Sequence, residues 1–327
     1  MIAASADADR AAVHVVCGPT AAGKSEVAMW LAERAACALI SADSRQIYRG
    51  FDVGTAKPSP ADRSRAPHYG IDVAEPTERY SAAAWAEAAD GWISGARAGG
   101  RTPLVVGGTG LYLRALFDGL FAEPALDAVR RGALEELLGT LELDELRRWA
   151  NILDPARAHL GRTQLVRAIG IALLAGERVS DLHRRNARPP RWRPRYLLVD
   201  PGPALQPRIA ARLDHMLDHG WPDEVRRLMQ TVSADAPAWN ASGYGAVRDW
   251  MAGRSTRDAT RERVLIETRQ YAKRQRTWFR HQLPERLVTH LDPTDVDWPT
   301  RAARWFEVAS TANEQATTAP ATGEASS

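Results

Sequence analysis

The segment GPTAAGKS, at residues 18–25, decides the fold of this 327-residue chain. It follows the apolar run VHVVC (13–17), and its G-x-x-x-x-G-K-S spacing is typical of a phosphate-binding loop between a strand and a helix. Such a loop holds phosphate oxygens with backbone N–H groups and with the positive end of the following helix. The sequence therefore predicts a polyphosphate ligand: a nucleotide used for energy, a phosphoryl donor, or a pyrophosphate that leaves.

Three further apolar runs predict strands of the same kind. They are ALIS (38–41), PLVVG (103–107) and YLLV (196–199). Their nearly continuous hydrophobicity is what a parallel sheet requires when helices cover both of its faces. We therefore expect an α/β fold, with a P-loop NTPase-like parallel sheet as the core and helices on its flanks.

Helical patterns lie between and after these strands. One helix is predicted from Gly23-Lys24 toward Ala36, and another from Ser81, as its N-cap, to Gly99-Gly100. A long helix is predicted over about 256–281. Alternation of strand and helix is the arrangement from which doubly wound parallel sheets are built.

The chain is predicted to consist of a core, an insertion and two disordered ends. Residues 120–190 carry helical patterns only, and we interpret them as an all-helical insertion in a core formed by 13–119 and 191–300. Residues 1–12 and 310–327 are small and polar, and they cannot bury enough apolar surface to offset the entropy of ordering.

Composition and charge limit the classes of function. A charged fraction of 25% and a hydrophobic fraction of 45% are ordinary for a globular protein, and the net charge is +3. The two cysteines, Cys17 and Cys37, make neither a disulfide framework nor a metal-ligand spacing. No apolar stretch is long enough to span a bilayer. We expect a cytoplasmic protein without a membrane segment.

Polar residues follow the predicted strands at the edge where parallel sheets bind ligands. Asp43 follows the second strand, and Thr109 follows the third, within VVGGTGLY. In the phosphate loop, Lys24 would supply a charge to the terminal phosphate and Ser25 a hydroxyl ligand for Mg²⁺. Asp43 taken alone is at least as readily explained as a helix cap or a partner of the magnesium ion as it is as a general base.

Five collinear motifs resemble those of the tRNA dimethylallyltransferases, also called tRNA isopentenyltransferases: GPTAAGKS, SADSRQIYRGFDVGTAKP, APHYGIDV, YSAAAW and VVGGTGLYLRAL. RIAARLDHML, GYG and ETRQYAKRQRTWFR resemble later blocks, so the resemblance covers about residues 13–281. It implies an enzyme, the bacterial form and a monomer. It implies transfer of a dimethylallyl group from dimethylallyl diphosphate to the N6 amine of the adenosine 3′-adjacent to the anticodon, in tRNAs that read codons starting with U.

The resemblance also implies roles for individual residues. It makes Asp43 the general base and Thr109 a second catalytic residue, with Mg²⁺ held through Ser25. The diphosphate would be bound by Gly18, Pro19, Thr20, Ala21, Ala22, Gly23, Lys24, Ser25, Arg208 and Arg212. The tRNA would be bound by Asp43, Ser44, Arg45, Gln46, Thr109, Arg130, Thr163, Gln164, Leu165, Val166, Arg167, Asn240, Ala241, Ser242, Gly243, Tyr244, Gly245, Arg269, Lys273, Arg276 and Arg280.

Two basic segments support an RNA partner. HRRNARPPRWRPR (183–195) concentrates arginine around a tryptophan. RQYAKRQRTWFR (269–280) places its cations along one helical face by i, i+3 and i+4 spacing. Cations of this kind bind the phosphate backbone, as an enzyme requires when it extracts one base from an anticodon loop.

Three other functions are weighed against this one. A P-loop kinase would use Lys24 and Mg²⁺ on ATP, with Asp43 activating a hydroxyl group, but it would leave the basic helix without a role. A prenyltransferase of free adenine nucleotides would hardly need the helical insertion. A non-catalytic RNA-binding module would not need the phosphate loop, Asp43 or Thr109.

Overall fold

A computed structural model describes residues 10–119, 124, 126–185 and 190–317 of the chain. Within these residues, six strands form one sheet in the order β3-β2-β4-β1-β5-β6, and every pairing is parallel. The prediction of a parallel α/β core is therefore confirmed. The strands are β1 (Ala12–Cys17), β2 (Cys37–Ser41), β3 (His68–Tyr69), β4 (Thr102–Gly107), β5 (Arg193–Val199) and β6 (Val288–Leu291).

Strand register brings three loops to one edge of the sheet. Cys17 at the end of β1 pairs with Gly107 at the end of β4, and Ser41 at the end of β2 pairs with Val106. All residues of β1 and β2 are buried, which explains their nearly continuous hydrophobicity. The loops that follow β1, β2 and β4 consequently emerge side by side, as ligand binding at the carboxyl edge of such a sheet requires.

The predicted helices are also present. The helix expected from Lys24 is Lys24–Arg34, and the one expected after Ser81 is Ala82–Ala98, where the Ala84 N–H donates to Ser81 Oγ at 3.0 Å. The helices of the core are α1 (Lys24–Arg34), α2 (Pro60–Arg65), α3 (Ala82–Ala98), α4 (Gly110–Arg114), α9 (Leu205–Asp218), α10 (Trp221–Thr231), α11 (Tyr244–Met251), α12 (Arg257–Gln282) and α13 (Trp298–Thr317).

Residues Asp118–Pro190 form a compact unit, and the core unit contains Met1–Phe117 and Arg191–Ser327. The described part of the smaller unit consists of helices: α5 (Ala128–Thr140), α6 (Leu143–Leu153), α7 (Arg162–Ala175) and α8 (Val179–Arg185). Its own apolar core includes Leu138, Leu146, Leu165 and Ile169. The sequence places a helical insertion at nearly the same residues, 120–190.

The ends of the core differ from the prediction. Helix α13 continues to Thr317, past residue 300 where the core was expected to stop, and disorder from residue 310 onward stays a prediction. Residues 318–327 and 1–9 lie outside the described residues, and β1 begins at Ala12 rather than at 13. Trp305 and Phe306 of α13 pack around His14 of β1, with ring centroids 5.1 and 4.5 Å away. This long-range packing explains why the core continues beyond residue 300.

Two short strands were also missed, β3 and β6. The first has only two residues, and the second, VTHL, carries two polar side chains that are exposed. Neither shows the apolar run by which the central strands were recognised. In the described part of the chain, no helix is both long and apolar enough to cross a membrane.

Candidate active site

The phosphate loop has the strand and helix that its sequence predicts. Gly23 precedes α1 with a φ of 98°, a conformation that glycine adopts without strain. Lys24 Nζ donates to the carbonyl oxygen of Pro19 at 2.7 Å, which turns the ammonium group toward the inside of the loop. Burial lowers the pKa of Lys24 to about 8; Arg212 acts in the same direction and Asp43 in the opposite one.

Two arginines of α9 lie against this loop. Arg208 Nε donates to the carbonyl oxygen of Ala21 at 3.2 Å, and a Cβ atom on Gly23 would lie 3.1 Å from Arg208 Nη2. Burial lowers the pKa of Arg212, an effect that Asp43 partly offsets. Cations desolvated beside backbone N–H groups favour an anionic ligand, so the structure brings the predicted diphosphate residues together.

The Asp43 loop and the Thr109 loop are joined by hydrogen bonds. The Thr109 N–H donates to the carbonyl oxygen of Ala42 at 3.1 Å, and the Ser44 N–H donates to Thr109 Oγ1 at 3.0 Å. Asp43 Oδ1 accepts the Arg45 N–H at 2.9 Å. Thr109 therefore holds the backbone next to Asp43, and within the described residues the second carboxylate oxygen of Asp43 accepts no hydrogen bond.

Two cavities share a wall at Asp43. The larger, of about 840 Å³, is lined by Lys24, Ser25 and Arg208, and the smaller, of about 90 Å³, extends to Trp221. Residues common to both cavities are Thr20, Ala21, Asp43, Thr55, Arg212 and Tyr271. A carboxylate that faces two cavities is placed where two ligands can meet.

The segment after Asp43 is held by a buried carboxylate. Glu224 is 2% exposed and accepts the N–H groups of Asp52 at 2.9 Å and Val53 at 2.7 Å. The hydroxyl of Tyr244 donates to the same carboxylate at 2.6 Å. These donors, with the Gly54 N–H at 3.5 Å as a fourth, compensate the desolvated charge, so Glu224 connects the motif FDVGTAKP to the motif GYG.

The sequence interpretation missed Tyr271 and Gln275 on the inner face of α12. Burial and the nearby Asp43 raise the pKa of Tyr271 to about 12, and Thr109 forms a hydrogen bond with its side chain. Gln275 is buried and bonds to the loops that follow β1 and β4. The sequence does contain a signal for them. Val264, Thr268, Tyr271, Gln275 and Phe279 recur every three or four residues and so lie on one face of the helix; polar side chains on a face that otherwise packs into the core indicate a site.

The predicted tRNA residues differ in burial. The side chains of Leu165, Ala241 and Tyr244 are buried in packed cores and Gly243 is buried as well, so a contact of these residues with tRNA would have to use the backbone, and their tRNA-binding role stays a prediction. Arg276 donates to Asp200 Oδ2 at 2.8 Å and to the Gly202 carbonyl oxygen at 2.7 Å, so it is engaged within the core. Exposed members are Arg130, Thr163, Gln164, Arg167, Asn240, Ser242, Arg269, Lys273 and Arg280, and half-buried members are Ser44, Arg45, Gln46, Val166 and Gly245.

The first basic segment is partly structural. The Trp192 indole N–H donates to Asp90 Oδ1 at 2.6 Å and Arg191 donates to Asp90 Oδ2 at 2.8 Å, so both anchor β5 to α3. Residues 186–189 lie outside the described residues.

The donor set around the loop fits Mg²⁺ bound together with a diphosphate. Within the described residues, no group of three or more His, Cys, Asp or Glu side chains could hold a metal ion. Ser25, in the first turn of α1, offers a single hydroxyl. Mg²⁺ commonly takes one or two protein oxygens and completes its shell with phosphate oxygens and water, so this sparse set is compatible with it.

Known proteins resemble this chain along most of its length. Residues 46–282 match the family model described as IPP transferase, and residues 11–66 match the one described as isopentenyl transferase. The tRNA dimethylallyltransferase of Halorhodospira halophila is 42% identical over 281 residues, which make up 83% of this chain and 91% of that protein. The protein of the same name from Anaeromyxobacter sp. strain K is 40% identical over 274 residues, 82% of this chain and 90% of that one.

Solved structures share the fold. The tRNA isopentenylpyrophosphate transferase of Bacillus halodurans is 30% identical, with a TM-score of 0.67 over 94% of this chain and 98% of that chain. A eukaryotic dimethylallyltransferase acting on tRNA superposes with a TM-score of 0.76 over 96% of this chain and 81% of that chain; at 24% identity it shows the fold alone. The phosphate loop, the carboxylate beside it and these likenesses together place the chain in the IPP transferase family.

Proposed function

We propose that this enzyme transfers the dimethylallyl group of dimethylallyl diphosphate to N6 of the adenosine 3′-adjacent to the anticodon, in tRNAs that read codons starting with U. The position of Asp43 carries the proposal. Its carboxylate lies in the wall shared by the two cavities, within electrostatic reach of Lys24 and Arg212. A base beside an anion site is what substitution at an allylic carbon with diphosphate as leaving group needs.

The phosphate loop would bind the diphosphate and stabilise its departure. The backbone N–H groups at the start of α1, the ammonium group of Lys24 and the guanidinium groups of Arg208 and Arg212 would surround the anion. Negative charge grows on the diphosphate as its bond to the allylic carbon breaks, so these groups bind the transition state more strongly than the substrate. Mg²⁺, held by Ser25 and the diphosphate, would neutralise part of that charge when bound.

Asp43 would take the proton of the attacking amine. The adenosine N6 forms its bond to the allylic carbon while the carbon–oxygen bond to diphosphate breaks, and the N6 proton passes to the carboxylate. An adenine amine is a poor nucleophile, so removing this proton raises the rate. The bond from Thr109 to the Ser44 N–H fixes the loop that carries the base.

The outer face of α12 would bind the RNA backbone. Arg269, Lys273 and Arg280 are exposed, and in the described part of the chain no hydrogen bond or ion pair neutralises their side chains. Unneutralised cations on one helical face bind phosphates by releasing counterions. The proposal also has the enzyme act as a monomer in the cytoplasm.

The test uses dimethylallyl diphosphate labelled in its prenyl group, with Mg²⁺ and one of three acceptors. These are an unmodified tRNA that reads a U-initial codon, the same tRNA with guanosine in place of the adenosine next to the anticodon, and adenosine monophosphate. Label in the first tRNA alone supports the proposal. Label in the mononucleotide alone identifies a free-nucleotide prenyltransferase, and ATP-dependent phosphorylation of a small metabolite without prenyl transfer identifies a kinase.

A further inference from the structure

We propose that Gln275 is a positioning residue of the diphosphate site, which orients the peptide group between Pro19 and Thr20 and thereby fixes the ammonium group of Lys24. The inference rests on the proposed function, because that function gives Lys24 the diphosphate as its ligand. None of the sequence motifs assigns a role to this glutamine.

The side-chain amide of Gln275 connects two loops of the site. Its Oε1 accepts the N–H of Thr20 at 2.8 Å, and its Nε2 donates to the carbonyl oxygen of Gly108 at 2.8 Å. Thr20 belongs to the loop after β1 and Gly108 to the loop after β4. Because one contact needs an acceptor and the other a donor, only one orientation of the amide satisfies both.

The peptide group that Gln275 holds is the one that contacts Lys24. The Thr20 N–H and the Pro19 carbonyl are two ends of the same planar peptide unit. Its N–H donates to Gln275, and its carbonyl oxygen accepts from Lys24 Nζ at 2.7 Å. Rotation of this unit would break both bonds at once, so the amide of Gln275, together with the Ala22 N–H that donates to the same carbonyl at 3.3 Å, sets the direction of the carbonyl that holds the ammonium group.

Holding Lys24 in this way prepares it for an anion. A lysine side chain carries about 2 kcal/mol of rotamer entropy and three donors on its ammonium group. One donor is used by Pro19, which leaves two for phosphate oxygens. The entropic cost of ordering the side chain is then part of folding and does not reduce the free energy of anion binding.

The site is shaped to admit the glutamine amide. A Cβ atom on Gly108 would lie 2.3 Å from Gln275 Nε2, so glycine at this position permits the close approach. Gln275 is 6% exposed. Its neighbour Arg276 fastens the same part of α12 to Asp200 and Gly202, so the attachment of the helix to the core has a second source.

The test is a double-mutant cycle between Gln275 and Lys24, read by binding of inorganic pyrophosphate in the presence of Mg²⁺. Calorimetry gives the Kd of the wild type, Gln275→Met, Lys24→Met and the double variant, and thermal unfolding of each confirms that it is folded. Methionine keeps the approximate volume and removes both hydrogen bonds. Gln282→Met, at the exposed end of the same helix, is the matched control.

We expect Gln275→Met to weaken pyrophosphate binding about 10–100-fold, the range typical of groups that orient the side chains of metal ligands. In the Lys24→Met background the same change should cost less than about twofold, because its effect passes through Lys24. Gln282→Met should bind as the wild type does. If Gln275→Met does not fold, Gln275→Leu replaces it, because leucine also removes both hydrogen bonds and adds no charge beside the anion site.

Equal losses in both backgrounds would mean that Gln275 only supports the fold, and no loss in either would mean that it does not orient the loop; both results overturn the positioning role. A wild type that binds no pyrophosphate would overturn the diphosphate site itself. Strong coupling between Gln275 and Lys24 in pyrophosphate binding, in an enzyme that transfers no prenyl group to tRNA, would support the positioning role and contradict only the proposed function.

Discussion

Loss of the proton of Lys24 should lower the activity of the enzyme at alkaline pH. Its pKa is about 8, so the ammonium form is present below that pH and is lost as the pH rises through it. We expect kcat/KM for dimethylallyl diphosphate, which reports ionisations of the free enzyme, to fall about tenfold per pH unit above pH 8. A bound anion raises the pKa of Lys24, so kcat should fall only at higher pH. Steady-state kinetics between about pH 6.5 and 10 measure both.

Lys24→Arg is the matched variant for this profile. A guanidinium group keeps its charge over the whole range, so the alkaline decline should disappear even where the rate is lower. A wild-type kcat/KM that stays constant from pH 7 to beyond pH 9 would contradict the assignment of the alkaline decline to Lys24.

The sequence predicts those site residues whose chemistry is visible locally. Lys24 lies in a loop with a distinctive spacing, and Asp43 and Thr109 directly follow strands, so their place at the sheet edge follows from the order of elements. The polar stripe along α12 marks Gln275 as a residue of the inner face, but its role could not be predicted, because its partners Thr20 and Gly108 lie 255 and 167 residues away in the chain. Leu165 shows what a motif alone does not reveal: it belongs to a predicted RNA-contact segment, and the structure places its side chain in the core of the helical unit.

Among the elements, the loop at Asp52–Gly54 should depend on Glu224. Glu224→Gln replaces one carboxylate oxygen with a donor that faces the other donors, so we expect a loss of about 1–3 kcal/mol in the free energy of unfolding. Urea denaturation measures it. Asp223→Asn, next in the chain but with a side chain 66% exposed, should change stability by less than about 0.5 kcal/mol. Similar effects of the two substitutions would contradict the role given to Glu224.

The outer face of α12 should carry the electrostatic part of tRNA binding. Neutralising Arg269, Lys273 or Arg280 with glutamine should each lower the slope of log Kd against log salt concentration by about 0.7–0.9, if each side chain contacts one phosphate. Titrations of labelled tRNA over a range of salt concentrations measure this slope. Arg263→Gln is the control on the same helix, because its guanidinium already pairs with Asp249 and Glu267. An unchanged slope in all three variants would place the RNA elsewhere.

The helices that local sequence signals predicted correctly are those that begin next to a capping residue or a glycine. Ser81 caps α3, and Gly23 precedes α1 in a left-handed conformation. Helix α13 was not predicted, because its last residues are small and polar. Its place in the fold is set by the packing of Trp305 and Phe306 against β1, a strand nearly three hundred residues earlier in the chain. A contact over such a distance cannot be predicted from a short stretch of sequence.

For the molecule as a whole, His14 should make stability sensitive to acid. Burial lowers its pKa to about 4, and Arg195 and Arg97 act in the same direction against the bond to the Phe306 carbonyl. Between pH 6.5 and 4 the unfolded chain binds a proton that the folded protein does not, so stability falls as the pH falls. We expect this histidine to cost about 2 kcal/mol between pH 7 and pH 5.

Urea denaturation at the two pH values, compared between the wild type and His14→Gln, isolates this contribution from that of the carboxylates. The variant should lose less stability than the wild type over the same interval. Equal losses would mean that His14 is not buried as a neutral side chain beneath α13.

The most direct measurement is the single-turnover rate of dimethylallyl transfer to tRNA by the wild type and by Asp43→Asn. Asparagine keeps the shape of the side chain and cannot take the N6 proton, so the rate should fall about 10²–10⁴-fold. Pyrophosphate affinity should stay the same or become tighter, because an anion beside Lys24 and Arg212 has been removed. A rate close to that of the wild type, with tRNA and dimethylallyl diphosphate still bound, would contradict Asp43 as the base.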